Sequence, residues 1–562
     1  MKASWVIAVL IAFYFAGCKS ENATISTVAP PSSSTGTVTH VSASGGAPFV
    51  HTQTMSQKAD LYFIYTNGTS SSVSGTFSAT AANQAPPKAD LAPFDPAQIP
   101  QASLQGQDMG TWARQRGIGL RGTPEASQFN HRVQELSARY QASLTPKEPN
   151  FAALGDTHTF NGVFSGETPA STLRSVTTDG TVTVNLWVAD DSWGTCSKKH
   201  CVTQTMVDAL ATKFIQTGSN NDIYDWVTNL YGTPWGSHSS SVLIPASNAN
   251  SIDILLYDIQ SDNSDNGGYL GVFYSRDNYL STVVSSSNER LVFYIDSVMT
   301  ATPTGTTWEV TDEWPGEMVS TLAHEFQHMI HFYQKNVLLS VVSSNTDSWI
   351  EEMMSMMTED LLSDKMLVNG PRGVAYNDGT AGTSTDSSSR PAWFNYYPYL
   401  GQAYWANDNA VLYRYAINYV FGAYLLRNYG GAALAKALMT TSGDNQNTVV
   451  NALGSLGYTV SYSELIQRFQ AAVLLSSQTN APTNYQLNQG SYFTSTLNGV
   501  DYNAGSINLF GYGTGPKIFT SGLTSLDTTG GAIYKVGSSL SGTQSFTVEM
   551  PTGASLTVVE KP

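Results

Sequence analysis

The chain has 562 residues, 41% of them hydrophobic and only 12% charged, with 27 basic against 43 acidic side chains for a net charge of −16. That apolar content excludes wholesale disorder, and charge at about half its usual share leaves the surface to Ser, Thr, Asn, Gln and Gly. Nucleic acid is excluded as a partner, because a phosphate backbone demands clustered Lys and Arg and no such cluster occurs.

The length implies roughly three or four domains. Residues 1–17 read as an export signal: Lys2 supplies the positive charge, Trp5 to Phe15 the apolar run and Phe15-Ala16-Gly17-Cys18 a small-residue cleavage site. The run is shorter than the roughly 20 apolar residues a membrane span needs. Cleavage before a Cys resembles the bacterial lipobox, although Phe15 stands where Leu is usual, so Cys18 is expected to be lipidated. The exported chain would then be anchored at an outer membrane or cell surface; a plain secretory signal is the alternative. Residues 18–48, rich in Ser, Thr, Ala and Pro, follow as a flexible tether.

Residues 49–145 read as a small β module plus a linker or propeptide. Strand-like runs flank Asn67-Gly68, a hairpin signal; Pro86, Pro87, Pro93, Pro96 and Pro100 then break the pattern, and Val133 to Tyr140 predicts a short helix. Residues 150–315 read as a mixed α/β unit, with strands over 181–188, 252–257, 271–274 and 290–295 and helices over 204–216 and 223–231. Within it, Cys196 and Cys201 are expected to close a small disulfide loop in an oxidising compartment; a metal site that includes His200 is the rival.

Residues 316–480 turn helical. After Pro315, which suits a first turn, Met318, Leu322, Phe326, Met329 and Tyr333 recur at helical spacing. A second helix carries Trp349 through Leu362 behind the capping run Asn345-Thr-Asp347. A third, Ala410 to Arg427, is ended by Gly430-Gly431, and another covers Tyr462 to Leu475. Residues 484–562 return to short strands, including 544–549 and 555–560, and read as a terminal β domain.

The chemistry concentrates in His324-Glu325-Phe326-Gln327-His328. Residues four apart stack on one helix face, so His324 and His328 can present imidazole nitrogens to one Zn²⁺. Glu325, rotated off that line, can instead take a proton from water that the ion acidifies. His331 lies about 10 Å further along a straight helix, too far to share the ion, and is expected to pack or to act from behind. A third ligand is sought in Trp349-Ile350-Glu351-Glu352, where acids on an apolar helix need a partner. Glu359 reads first as a surface acid, with orientation of a ligating histidine as its alternative. Asp258 through Asp265 is acid-rich enough to raise Ca²⁺ as a second ion. It lacks the EF-hand glutamate, however: counted from Asp262, position twelve is Phe273.

His-Glu-x-x-His followed by a Trp-x-x-Glu helix resembles the gluzincin pattern, in which the Glu three residues after the Trp is the third zinc ligand. Here that position is Glu352, with Glu351 its neighbour and Met353 in place of the usual Gly. The hyicolysin-like peptidases of family M30 are the nearest likeness. Their resemblance runs from Asn288-Glu-Arg290 and Tyr294-Ile-Asp296 through the zinc motif to Tyr415–Gly430. It implies an α+β fold with a gluzincin-like core, in which a mixed sheet precedes a helical half, flanked by small all-β modules. It also implies a monomeric zinc endopeptidase acting on extracellular polypeptides. His324, His328 and Glu352 would hold the metal, Glu325 would be the general base, and Tyr415 would stabilise the oxyanion. A surface adhesion lipoprotein with a silent peptidase-like core is the alternative, and a zinc hydrolase of esters or glycans a third reading.

Overall fold

The computed structural model describes residues 35–43, 45–81, 113, 119–121, 133–140, 152–341, 348–382, 389–403, 405, 410–520 and 523–562. The signal sequence, Cys18, most of the tether and the proline-rich stretch after 81 lie outside the described residues.

Three strands open the chain: β1 (Thr37–Val41), β2 (Phe49–Asn67) and β3 (Val73–Ala81). Next come β4 (Gly119–Arg121), helix α1 (Val133–Arg139), β5 (Thr157–Thr159), β6 (Ala170–Thr178) and β7 (Thr183–Ala189). Helices α2 (Gln204–Phe214) and α3 (Ile223–Tyr231) precede β8 (Ser251–Tyr257), β9 (Gly268–Phe273) and β10 (Val292–Asp296). Strands β4 to β10 form one seven-stranded sheet in the order β4-β9-β10-β8-β7-β6-β5. β7, β8 and β10 run parallel, and β9 is antiparallel to β10. β10 is buried throughout and β8 from Ile252 onward, and their unbroken apolar runs (Ile254-Leu-Leu256, Val292-Phe-Tyr-Ile295) are what a sheet covered on both faces requires.

The helical half begins with α4 (Glu313–His331), which continues as a π-helical stretch, Phe332–Leu338. Its predicted stripe Met318, Leu322, Phe326, Met329 and Tyr333 is buried. Phe326 packs edge-on against Phe214 of α2, which also meets Phe293 of β10, so the stripe is pressed onto the sheet. Then follow α5 (Ser348–Met366), α6 (Arg390–Tyr396), α7 (Val411–Asn428), α8 (Ala432–Thr440), α9 (Gln446–Ser455) and α10 (Tyr462–Leu475). On α7, Gly422 faces α5: a Cβ there would come within 2.8 Å of Met353 Cγ and Met357 Cγ, so the two helices meet where α7 has no side chain.

After a hairpin of β11 (Phe493–Leu497) and β12 (Val500–Ala504) come β13 (Leu523–Leu526), β14 (Gly531–Glu549) and β15 (Ala554–Lys561). The expected flanking β modules are not separate. Strands from both ends interleave in one six-stranded sheet, β1-β15-β2-β14-β3-β13. β2 and β14 are each 19 residues long, and each would leave a long row of unpaired backbone groups without the other.

Nor do the runs flanking Asn67-Gly68 pair as a hairpin, because β14 lies between β2 and β3. The Asn67 side chain holds a wider loop instead, accepting from the Thr69 amide at 2.9 Å and donating to the Ser71 carbonyl at 2.8 Å. The stretch expected to be a linker or propeptide also supplies an element of the central sheet, since β4 pairs in parallel with the outer edge of β9.

Candidate metal centre

α4 and α5 lie side by side and bring three buried groups together. His324, His328 and Glu352 each offer a ligand atom within 4.8 Å of the others. Glu352 Oε2 stands 3.3 Å from His324 Nε2 and 3.8 Å from His328 Nε2. Both His324 Nε2 and Glu352 Oε2 are buried without a hydrogen-bond partner of acceptable geometry. Buried polar atoms are rarely left so. Two imidazole nitrogens and a carboxylate oxygen converging on one point are also the donor set zinc takes in hydrolytic sites, so the residues fit a divalent ion.

The far sides of the imidazoles are held as well. His324 Nδ1 lies 2.8 Å from Glu359 Oε1, a hydrogen bond that turns Nε2 toward Glu352. Glu359, expected on the surface, is fully buried; its other oxygen accepts from Ser320 Oγ at 2.7 Å and from the Arg121 guanidinium. A carboxylate seven residues beyond Glu352 returns to the same helix face after two turns, and burial there forces it to find cations. Glu351 stands 3.4 Å from His328 Nδ1 and 3.6 Å from His331 Nδ1. His331 in turn reaches Asp444 at 3.3 Å, so it acts from behind His328 and stays away from the convergence point.

Burial alone would hold both histidines neutral, but the surrounding carboxylates outweigh it. Glu352 and Glu359 raise the His324 pKa, and Glu351, Glu352 and Glu325 carry that of His328 up to about 9. Burial would raise Glu359, yet Arg121 and His324 pull it down to about 2. Glu325 is completely buried; desolvation and Glu352 raise its pKa while the two histidines oppose them. Its Oε2 accepts from the Phe273 amide at 2.7 Å, which fixes the carboxylate where β9 crosses α4. Gly271 makes that crossing close: a Cβ there would come within 2.4 Å of Thr321 Cγ2 and 3.1 Å of Glu325 Cγ.

The family description Peptidase M30 matches residues 165–561, a span holding every residue of the centre except Arg121. The chain belongs to the M30 peptidase family. A relative in that line, the neutral metalloprotease ShpI of Staphylococcus hyicus, is 28% identical over 225 residues, covering 40% of this chain and 46% of its own length. The cluster of His324, His328 and Glu352 could hold a metal ion, and zinc is the ion its donor set suits.

The remaining predicted positions separate clearly. Tyr415 on α7 is buried, its ring edge-on to Trp405 at 4.9 Å, and its hydroxyl donates to the Arg121 carbonyl. Cys196 and Cys201 form a disulfide. Calcium gains no support: Lys198 takes Asp258 and Lys199 takes Asp265, each at 2.7 Å, and the one metal-ligating cluster among the described residues is that of His324. Among the described residues no helix is long and apolar enough to cross a membrane.

Proposed function

We propose that the chain is a zinc endopeptidase, with the ion held by His324, His328 and Glu352. What supports this is the buried convergence of two imidazoles and one carboxylate, with His324 Nε2 and Glu352 Oε2 left facing each other, in a member of a peptidase family. Bound there, zinc supplies the Lewis acidity that makes water nucleophilic near neutral pH. Glu325 would take a proton from the attacking water at its carboxylate and pass it to the departing amine; a carboxyl raised by burial is suited to both halves. The Phe273 amide keeps Glu325 oriented while it does so. Tyr415 donates its hydroxyl hydrogen to the carbonyl oxygen as negative charge develops there. The substrate is an extended polypeptide outside the cell, reached after export and held near the surface by a lipid on Cys18.

Glu325→Gln should lower peptide hydrolysis by roughly a factor of 10²–10⁴ while zinc stays near one per chain by elemental analysis. Undiminished hydrolysis in that variant would remove Glu325 from the chemistry.

A further inference from the structure

β4 is three residues long, yet it is fixed from both sides of the candidate centre. Its backbone adds to the outer edge of β9, with Gly119 opposite Gly268 and Leu120 opposite Tyr269. The Arg121 carbonyl accepts the Tyr415 hydroxyl, the donor a substrate carbonyl would use. The Arg121 side chain runs along α4: Nε donates to Thr321 Oγ1 at 2.8 Å, and the two terminal nitrogens donate to Glu317 and Glu359. Leu120 and Arg121 are both buried. The strand also lies outside residues 165–561, which the family shares.

We propose that Gly119-Leu120-Arg121 occupies the place of the substrate strand, so that in this form the chain holds its own active site shut. This rests on the peptidase reading of the same centre. Adding a strand to an exposed sheet edge is a general way of seating an extended peptide, with backbone hydrogen bonds giving affinity and side-chain pockets giving choice. Here the edge is that of β9, directly over the turn of α4 that carries Thr321 and Glu325. The pocket that receives Arg121 is acidic, so the peptide chemistry it fits is an extended segment with a basic side chain. A second buried cation, Arg390, lies 5.0 Å over the Tyr415 ring and is attracted electrostatically to the same two carboxylates, Glu359 and Glu317. A permanent structural strand and a removable occupant make opposite forecasts for loss of Arg121, which decides the test.

The full zinc-loaded chain is compared with its Arg121→Glu and Arg121→Ala variants in two assays. One is hydrolysis of a quenched fluorescent peptide library. The other, in a Glu325→Gln background to prevent cleavage, is binding of a labelled peptide spanning Gln115 to Glu125. The expected result is at least tenfold faster hydrolysis by both variants and peptide binding to the variants but not to the unsubstituted chain. Replacing Arg121 within the peptide by alanine should weaken that binding tenfold or more. If Arg121→Glu fails to fold by circular dichroism, Arg121→Ala carries both measurements. Variants that keep their zinc but hydrolyse no faster and bind no peptide would overturn the proposal while leaving the peptidase reading intact. Peptide binding to the variants without hydrolysis by any form would uphold the occupied cleft and defeat the peptidase reading instead.

Discussion

A carboxylate buried in a helix interface survives only if something cationic meets it, and α5 carries three, Glu352, Glu359 and Asp360, beside the half-buried Glu351. Asp360 is satisfied by Arg427 at 2.8 Å, an ion pair with no access to the metal centre. Glu351 and Glu359 are satisfied by the outer nitrogens of the two histidines. Only Glu352 is directed at the inner nitrogens, and this separates it physically from its neighbour. Partners behind metal-ligating histidines typically matter roughly 10–100-fold in metal affinity. Glu359→Gln keeps an acceptor for His324 but loses the charge, so zinc affinity should fall by about tenfold, the lower end of that range. Titration against a competing chelator measures it, and an unchanged affinity would mean that Glu359 serves Arg121 and not His324.

At the level of elements, the centre depends on how closely α4, α5 and α7 pack. The axis of α5 is set from one side by α4 and from the other by the gap at Gly422, into which Met353 and Met357 press at 2.8 Å from where a Cβ would be. Met353 is adjacent to Glu352, so any displacement of α5 moves that carboxylate relative to His324 and His328. Gly422→Ala would gain helix propensity but force an overpacked contact, costing about 1–3 kcal/mol net. It should also weaken zinc binding although it touches no ligand. Urea denaturation of the metal-free chain, paired with the chelator titration, separates the two effects; a variant as stable as the parent would show that the methionines simply rotate away.

On the scale of the whole molecule, the first and last described strands belong to one sheet. β15 and β14 lie on either side of β2, and the sheet they make rests on α10, with Lys561 Nζ donating to the Leu474 carbonyl at 3.2 Å. Deleting residues 35–81 would strip β14 of its long partner and expose a 19-residue edge, an aggregation template. The truncated chain should be largely insoluble, and supplying residues 35–81 as a separate polypeptide should restore soluble protein, read by size-exclusion chromatography. Full solubility without that segment would mean the terminal sheet can close on itself.

Local patterns were enough for much of this. The spacing of His324 and His328 follows from helix periodicity, the apolar stripe from Met318 to Tyr333 marked the buried face, and the unbroken apolar runs of β8 and β10 announced central strands; the Trp349-x-x-Glu352 likeness pointed to the carboxylate that meets both histidines. The first three need no knowledge of a distant partner, because a turn of helix or the pleat of a strand fixes which side chains share a face. What the sequence withheld are relations between residues far apart in the chain: the strand β14 inserted between β2 and β3, and Glu359 drawn inward by Arg121 from 238 positions away. The seat of β4 against Tyr415 belongs with them. Pairing of that kind is chosen by which edges and charges would otherwise be left unsatisfied once the core has closed, and only the folded chain decides it.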